Sequence, residues 1–284
     1  DKVRTKRLAE QAGIAVPTLY GLISTVHESH LLEDLIQDKQ DFVIKPAHGS
    51  GGKGILVIDK RRKNLFIKAD GNGITIDSVT HHIENILGGV YSLGGQVDQA
   101  IIEYRVKFDP VFNAISYQGV PDIRMLIYKG IPVMSMLRLH SRKSDGKANL
   151  HQGAVGVGIN MLTGMTTLAV CNNRRVYEHP DHGTPLDNFQ VPNWENLLLL
   201  AARCYELAPL GYLGVDIVLD AELGPLMLEL NARPGLAIQI ANGHGLQHRL
   251  DAIDQLESLP DNADARVSVT RSICDQPLYQ QTDA

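Results

Sequence analysis

A glycine-rich stretch between two β-type runs limits the possible folds of this sequence more than any other feature. Gly49, Gly51 and Gly54 satisfy the pattern G-x-G-x-x-G. A dinucleotide-binding loop with this pattern opens a helix, whose N-terminus holds the pyrophosphate. Here the loop follows the β-type run 41–45 and leads directly into the β-type run 55–58. The stretch therefore predicts a flap between two strands and excludes a Rossmann fingerprint.

This flap has the composition of a phosphate-binding loop. Glycine lacks a Cβ, so backbone amides in such a flap can approach phosphate groups closely, as they do in protein kinases. Lys45 ends the strand before the flap, where burying an ammonium without an anion would be unfavourable. Lys2 is either a further phosphate ligand or a solvated surface lysine, and the alternative for the whole stretch is a flexible hairpin turn without a ligand. The predicted phosphate flap comprises His48, Gly49, Ser50, Gly51, Gly52, Lys53 and Gly54.

Three oxygen-bearing side chains come together on a predicted hairpin near the C-terminus. Glu229 and Asn231 are two residues apart on one strand, so their side chains share a face. Antiparallel pairing about a turn centred between Glu222 and Leu223 places Asp216 opposite Glu229, with Cβ atoms about 4.5–5.5 Å apart. Carboxylates this close repel unless a cation or a proton intervenes, and carboxylate and amide oxygens suit Mg²⁺ shared with phosphates. The hairpin therefore predicts a metal site, with a solvated polar face as the alternative.

The overall composition excludes several other functions. A chain of 284 residues with 44% hydrophobic content can bury the core of a globular protein. Its net charge of -5 provides no basic field for nucleic acid. Its three scattered cysteines have neither metal-ligand spacing nor the density of a disulfide scaffold, and no apolar run reaches the about 20 residues that cross a bilayer. We therefore expect a cytoplasmic protein without a membrane span and without a nucleic-acid partner.

The order of predicted elements favours an α+β fold with two lobes over a regular βαβ alternation. The lobes are expected to span residues 1–103 and 104–257, followed by a loosely held polar tail over 258–284. The helix over 77–87 is expected to be capped by Asp77 or Ser78. Helices are predicted over 4–12, 27–37, 77–87, 194–207 and 246–256. Strands are predicted over 41–45, 55–58, 99–106, 123–129, 132–140, 213–219 and 226–231.

In this order, the segments resemble the ATP-grasp superfamily, whose fold consists of two α+β lobes that clasp ATP. The likeness extends from Asp1 to about His248 and is greatest to the α-L-glutamate ligases that modify ribosomal protein and to their glutamate ligase-related relatives. Each segment alone is weak, but together they are specific. They are Asp1-Lys2, Ala12-Gly13-Ile14, Val16-Pro17, Val43-Ile44-Lys45-Pro46 with the flap, Ile102-Glu103-Tyr104, Asp122-Ile123-Arg124, Arg138, Asn149-Leu150-His151, Gly214-Val215-Asp216-Ile217 and Glu229-Leu230-Asn231-Ala232-Arg233-Pro234-Gly235.

The resemblance implies an ATP-dependent carboxylate–amine ligase that acts through an acyl phosphate. It implies phosphate contacts for Lys2 and Lys45, a nucleotide contact for Asp122, and contacts with the terminal phosphates for Lys147 and Asn149. The segment that would join the lobes and read adenine, mostly through its backbone, comprises Glu103, Tyr104, Arg105 and Val106.

The same resemblance implies a metal centre and a catalytic set. Asp216, Glu229 and Asn231 would hold two Mg²⁺ ions, for which Mn²⁺ would substitute. The implied residues that grip the acceptor carboxylate and stabilise the tetrahedral intermediate are Arg124, Arg138 and Arg233.

Departures from the glutamate ligases concern the substrate side. Gln152 stands where they carry Arg, and Arg233 stands where they have a small residue, so glutamate as the amino acid stays open. The expected substrates are amino-acid or peptide carboxylates and amines. Almost nothing precedes Lys2, so the usual N-terminal domain is expected to be truncated, very short, or replaced by a homodimer contact or a partner protein.

Two other functions stay open at this point. An ATP-grasp-like kinase that phosphorylates a small molecule, as inositol phosphate kinases do, would need a basic pocket, and the charge balance gives little support for one. A non-catalytic ATP-binding regulatory module would not need the intact set formed by Asp216, Glu229, Asn231 and Arg138.

Overall fold

The structure of the protein is a computed structural model that describes residues 2–49, 51–116, 119–144 and 150–275. The chain forms two compact units, one with Asp1–Arg7 and Val16–Val106 and the other with Leu8–Ala15 and Lys107–Ala284. None of the helices in the described ranges has the length and apolar character that a membrane span requires.

Up to residue 106 the chain builds a six-stranded antiparallel sheet. Its elements are α1 (Lys2–Gln11), β1 (Leu19–Ile23), α2 (Leu32–Ile36), β2 (Phe42–Pro46), β3 (Leu56–Arg62), β4 (Leu65–Lys68), β5 (Gly73–Ile74), α3 (Ile76–Leu87) and β6 (Ala100–Glu103). The strand order is β1-β6-β2-β3-β4-β5, so the flap connects two neighbouring strands, β2 and β3. The predicted strand–flap–strand arrangement is confirmed.

Strand β2 shows how the side chains of this sheet pack on its two faces. Its side chains alternate between the two faces, and the fully buried Phe42 and Ile44 pack against the apolar face of α3, which includes Ile83. Lys45 points to the other face, where α1 contributes Val3 to a smaller core. The alternation thus directs Lys45 away from the main core of this unit.

After residue 107 the chain builds a seven-stranded antiparallel sheet. Its elements are β7 (Asp122–Tyr128), β8 (Ile131–Leu139), β9 (Val155–Ile159), β10 (Thr166–Cys171), β11 (Arg174–Val176), α4 (Trp194–Arg203), β12 (Tyr212–Asp220), β13 (Gly224–Asn231), α5 (Ala237–Asn242), α6 (Gln247–Asp254) and α7 (Ala263–Cys274). The strand order is β11-β10-β9-β8-β7-β12-β13. Helices α5, α6 and α7 place Ile238, Ile253 and Ile273 in one core with Leu126 and Met134 of the sheet. The mixture of helices with two antiparallel sheets confirms the predicted α+β class.

The hairpin of β12 and β13 contains a β-bulge that sets the register of its polar residues. Near the turn, Ile217 pairs with Met227, whereas one residue further Asp216 pairs with Glu229. Leu228 is therefore an extra residue on β13, and it shifts the pairing by one position. The predicted pairing of Asp216 with Glu229 is confirmed.

The residues after Pro260 are not all the loosely held tail that their polar composition predicts. Helix α7 buries Val267 and Ile273. Thr270 Oγ1 donates to the Pro132 carbonyl at 2.8 Å, and the Arg266 guanidinium donates to a backbone carbonyl of α4 at 3.3 Å. Buried polar side chains that find backbone acceptors are compatible with a packed helix, so the prediction of a tail is wrong for this segment.

Two local predictions are also wrong. The N-cap of α3 is Thr75, whose Oγ1 accepts a hydrogen bond from Ser78 N at 3.3 Å, rather than Asp77 or Ser78. The helix predicted over 27–37 is divided into a 3₁₀ helix, Val26–Leu31, and the short α2. The side chain of Thr75, two positions before Asp77, also satisfies a free N–H group of the first turn.

Candidate active site

A buried carboxylate in the first unit holds two lysines. Glu103 Oε1 lies 2.5 Å from Lys45 Nζ, and Glu103 Oε2 contacts Lys6 Nζ. The Glu103 side chain is only 5% exposed. Burial would raise the pKa of Glu103, but Lys45 and Lys6 outweigh it and hold the pKa below its ordinary value. With two ammonium groups to one carboxylate, this triad has a net positive charge that suits an anionic ligand.

The first end of the flap is attached to the same unit by side chains. Asp98, which is 1% exposed, accepts the His48 backbone N–H at 3.0 Å and lies 2.8 Å from His48 Nδ1. Lys2 Nζ donates to the Gly49 carbonyl at 2.5 Å. Lys2 therefore lies at the flap, and the His48 ring is held by a buried carboxylate.

The second end of the flap is attached at Gly54. His82 Nε2 lies 2.9 Å from the Gly54 carbonyl, and burial lowers the pKa of His82, which favours its neutral form. A Cβ at Gly54 would lie 2.6 Å from Tyr91 Cγ, and Gly54 has a φ of +75°. Only glycine fits this combination of contact and backbone conformation. Gly51, Gly52 and Lys53, between the two attachments, are exposed.

In the segment predicted to contact adenine, residues 103–106, several groups are already engaged in contacts within the protein. Arg105 Nη2 lies 2.9 Å from Asp59 and its Nε lies 3.5 Å from Asp41, while Val106 is buried. The Tyr104 backbone N–H donates to the Thr18 carbonyl at 2.8 Å. The Arg105 side chain and the Tyr104 backbone N–H are therefore already engaged within the protein.

In the second unit, two arginines and two aspartates form a compact cluster on one face of the sheet. Arg124 of β7 donates to both oxygens of Asp216, from Nε at 2.7 Å and from Nη2 at 2.6 Å. Arg138 of β8 donates from Nε and Nη2 to both oxygens of Asp122, and its Nη2 also lies 2.9 Å from Asp216 Oδ2. Register brings them together, because Asp216 pairs with Arg124 and Asp122 with Arg138. All four side chains are at most 15% exposed.

Burial and neighbouring charges act differently on the two aspartates of this cluster. Burial raises the pKa of Asp122 to about 6, although Arg138 opposes the rise. Burial would also raise the pKa of Asp216, but Arg138 and Arg124 outweigh it and hold the pKa below its ordinary value. Asp216 is thus the more firmly ionised carboxylate, as its contacts with two guanidinium groups require.

The other predicted metal ligands lie on β13 beside this cluster. Asn231 Nδ2 donates to Asp216 Oδ2 at 3.2 Å, which leaves the Asn231 amide oxygen for another ligand. Glu229, opposite Asp216, is exposed. Within the part of the chain that the structure describes, neither Glu229 nor Arg233 makes an ion pair, and Arg233 is exposed in the turn before α5. The structure therefore brings Asp216, Glu229 and Asn231 together, and Arg233 is more exposed than Arg124 and Arg138.

Three of the predicted site residues are not described by the structure, and two residues that contact the site were not predicted. Ser50, Lys147 and Asn149 lie outside the described residues. Lys6 and Asp98 were not predicted, although Lys6 is buried against Glu103 and Asp98 against His48. For Lys6 the only signal in the sequence is a lysine four residues after Lys2 on the same helix, and such a spacing is common on solvated helices.

A family comparison decides the relationship of this chain to known proteins. The profile of the sugar-transfer associated ATP-grasp family matches residues 1–255. The chain belongs to this family. The predicted membership of the ATP-grasp superfamily is confirmed, whereas the likeness to glutamate ligases stays a prediction. Among curated proteins, none matches the chain.

Several solved structures are similar to this chain, and one with a TM-score of 0.50 supports the ATP-grasp fold. N5-carboxyaminoimidazole synthetase from Staphylococcus aureus, complexed with ADP, is similar with a TM-score of 0.50 and 12% identity over 92% of this chain and 53% of that one. The D-alanine–D-alanine ligase from Bacillus anthracis, complexed with ATP, has a TM-score of 0.47 and 14% identity over 96% of this chain and 65% of that one. The ATP-grasp ligase PsnB, complexed with a minimal precursor, has a TM-score of 0.44 and 13% identity over 95% and 60%. The chain thus spans less than two thirds of the length of each of these proteins.

The residues of this ATP-grasp chain fit a magnesium ion whose coordination is completed by groups of a bound ligand. Mg²⁺ in proteins is commonly held by one or two carboxylates together with substrate phosphates. Glu229 and the amide oxygen of Asn231 meet this requirement, and Asp216 lies beside them although its oxygens accept bonds from Arg124 and Arg138. No group of three or more His, Cys, Asp and Glu side chains that could hold a metal alone occurs in the described ranges. The donor set therefore fits a shared ion rather than a closed protein cage.

Proposed function

We propose that this chain is an ATP-dependent carboxylate–amine ligase that acts through an acyl phosphate. In this reaction a carboxylate oxygen attacks the γ-phosphorus of ATP and ADP leaves. An amine then attacks the acyl carbon, and orthophosphate leaves as the amide forms. The observation that carries the proposal is the face of the seven-stranded sheet, where Arg124 and Arg138, each at most 15% exposed, lie beside the oxygen-bearing side chains of β12 and β13.

The residues of the first unit are assigned to nucleotide binding. Lys45 and Lys2 would contact phosphate oxygens, and the exposed flap residues would donate backbone N–H groups to them. Glu103 keeps Lys45 in place through the 2.5 Å ion pair. Since Lys6 holds the other oxygen of Glu103, the carboxylate stays compensated when Lys45 turns to a phosphate.

The metal proposal concerns Glu229, Asn231 and Asp216. A bound Mg²⁺ would neutralise the charge of the phosphates during transfer. Glu229, exposed and without an ion pair among the described residues, is the ligand that needs no rearrangement. The number of ions, and Mn²⁺ as a substitute, belong to this proposal too.

The catalytic proposal concerns the arginines. Charge develops on oxygen when the acyl phosphate and the tetrahedral species form, and fixed N–H donors stabilise it best in a buried site. Arg138 and Arg124 are held by carboxylates and are at most 15% exposed, which suits them for that task. Arg233 is exposed and suits recognition of a substrate carboxylate instead.

The substrate proposal is limited to chemical classes. Amino-acid or peptide carboxylates and amines follow from the resemblance to ligases, with glutamate as one choice. The description of the family as sugar-transfer associated adds amino sugars to the amines. A screen of ATP turnover should therefore cross single amino acids and short peptides with amino-acid, peptide and amino-sugar acceptors.

The experiment that tests this function measures orthophosphate release with and without each substrate class, with mass spectrometry of the products. A ligase releases orthophosphate only when a carboxylate and an amine are both present, and the product mass equals their sum minus water. A kinase would instead yield a phosphorylated product from a single substrate. Nucleotide binding without turnover under every condition would leave only a regulatory module.

A further inference from the structure

Asp122 is the one charged residue of the cluster that the resemblance assigns to the nucleotide, but its contacts serve an arginine. Both of its oxygens accept bonds from the same guanidinium, from Arg138 Nε and, at 2.8 Å, from Arg138 Nη2. The Asp122 side chain is 11% exposed. A carboxylate that is bound in this bidentate way and almost covered has little capacity for a ribose hydroxyl.

We infer that Asp122 is a positioning residue for Arg138 and makes no contact with the nucleotide. This inference rests on the proposed function, because it assumes that Arg138 acts on the reacting groups. Asp122 holds Nε and Nη2 of Arg138 from one side, while Asp216 lies 2.9 Å from Nη2. These contacts engage three of the five N–H groups of a guanidinium. Among the described residues, no acceptor lies at Nη1 of Arg138, so its two N–H groups are the ones directed to a ligand.

Arg124 shows the same arrangement and supports the inference. It also uses Nε and Nη2 for a carboxylate, Asp216, and within the described chain it too has no acceptor at Nη1. Each aspartate thus occupies the Nε–Nη2 edge of an arginine and leaves the opposite end for a ligand. The rigid strands β7, β8 and β12 carry all four residues, so this orientation does not depend on a loop.

Because of the charge of the cluster, the direction in which nucleotide affinity changes in an Asp122 variant tests the inference. The two arginines and two aspartates sum to zero, so Asp122→Asn would leave a net positive charge. If Asp122 acted only through its charge, the Asn variant would bind an anionic nucleotide more tightly. If Asp122 contacted the ribose, the variant would bind it more weakly. If Asp122 positions Arg138, nucleotide affinity should hardly change, whereas turnover should fall because a displacement of about 1 Å costs about 100-fold in rate.

The experiment compares Asp122→Asn and Asp122→Glu with the unaltered chain. Asp254→Asn is the control, because it removes an exposed carboxylate of the same unit that lies 2.6 Å from Lys129. Titration with Mg·ADP gives the nucleotide Kd, and orthophosphate release gives kcat. We expect both Asp122 variants to bind Mg·ADP within about threefold of the unaltered chain, and kcat to fall about 100-fold in Asp122→Asn and less in Asp122→Glu. The control should change neither quantity.

Two results would overturn the inference: a loss of Mg·ADP affinity of tenfold or more in either Asp122 variant, or an unchanged kcat in Asp122→Asn. If Asp122→Asn does not fold, Asp122→Glu still separates affinity from turnover, because it keeps the charge and displaces the guanidinium.

Nuclear magnetic resonance of the arginine side chains gives a readout that does not need turnover. The Nε–H of Arg138 should exchange slowly in the unaltered chain and in Asp254→Asn, and rapidly in Asp122→Glu. Fast exchange in the unaltered chain would refute the positioning role even if no substrate pair were found, so the proposed function and this inference fail separately.

Discussion

Variants of the triad of Lys6, Glu103 and Lys45 should have different effects on stability and on nucleotide binding. Lys45→Met should destabilise the protein, because Lys45 is paired with a carboxylate that is 5% exposed. Removing the sole partner of a buried charge costs about 3–5 kcal/mol. Lys6 continues to compensate Glu103 in this variant, so we expect a smaller loss of about 1–3 kcal/mol. Lys6→Met should produce a loss of similar size for the same reason.

Nucleotide affinity should distinguish the two lysines. A charge-assisted hydrogen bond contributes about 1.5–3 kcal/mol, so Lys45→Met should weaken binding of Mg·ADP by about 10- to 100-fold. Lys6→Met should weaken it by less than about threefold, because Lys6 is engaged by Glu103 and by the Pro17 carbonyl. Thermal unfolding followed by circular dichroism measures stability, and calorimetric titration measures the Kd.

The pH dependence gives a further check of the same triad. The lowered pKa of Glu103 means that its stabilisation is present above the ordinary carboxyl pKa and is lost as the pH falls through the lowered value. The stability difference between Lys45→Met and the unaltered protein should therefore be largest near neutral pH and shrink in acid.

Equal loss of nucleotide affinity in Lys6→Met and Lys45→Met would refute the reasoning, because it would mean that Glu103, not Lys45, determines binding.

Three more predictions concern the metal site, the flap and a buried histidine. The double variant Glu229→Gln, Asn231→Ala should fold normally and lose Mg²⁺-dependent nucleotide binding, and undiminished Mg²⁺ dependence in calorimetry would contradict the metal assignment. Residues 51–53 should gain hydrogen-exchange protection with Mg·ADP, while the attached ends at His48 and Gly54 change little; uniform protection without nucleotide would be the opposite outcome. Burial, with help from Arg138, lowers the pKa of His140 from 6.5 to about 4, so its neutral form adds stability that is present above pH 6.5 and lost as the pH falls to about 4. His140→Asn should remove about 3 kcal/mol of that acid-dependent loss, measured by denaturation at several pH values, and an unchanged pH dependence of stability in this variant would contradict the prediction.

Local patterns were sufficient to predict the parts of the fold that depend on neighbouring residues. The β-type runs before and after the flap became β2 and β3, because alternating and compact apolar runs carry their own preference for strands. The hairpin of β12 and β13 was also predictable. Its bulge at Leu228 was not, because an extra residue in a strand leaves no mark in the hydrophobic pattern. The predicted register would pair Ile217 with Leu228, whereas Ile217 pairs with Met227, one residue earlier. The bulge at Leu228 then restores the predicted pairing of Asp216 with Glu229.

Long-range pairing was the part that the sequence could not predict. Arg124 and Arg138 were predicted as site residues without their partners. The pairing of Arg138 with Asp122 depends on the register of the β7–β8 hairpin, whereas the pairing of Arg124 with Asp216 depends on the contact of β7 with β12, which no local signal determines. Helix α7 was missed for a different reason. Its buried Arg266 gives it the composition of a solvated segment, and only the capping residue Asn262 signals a helix start.

The most direct test of the central claim follows a labelled oxygen. With a carboxylate identified in the turnover screen and labelled with ¹⁸O in both oxygens, the ligase reaction should transfer one ¹⁸O into orthophosphate and form ADP. An acyl phosphate requires this transfer, because the carboxylate oxygen that attacks the γ-phosphorus leaves with the phosphate. Unlabelled orthophosphate, or formation of AMP and pyrophosphate, would contradict the proposed mechanism.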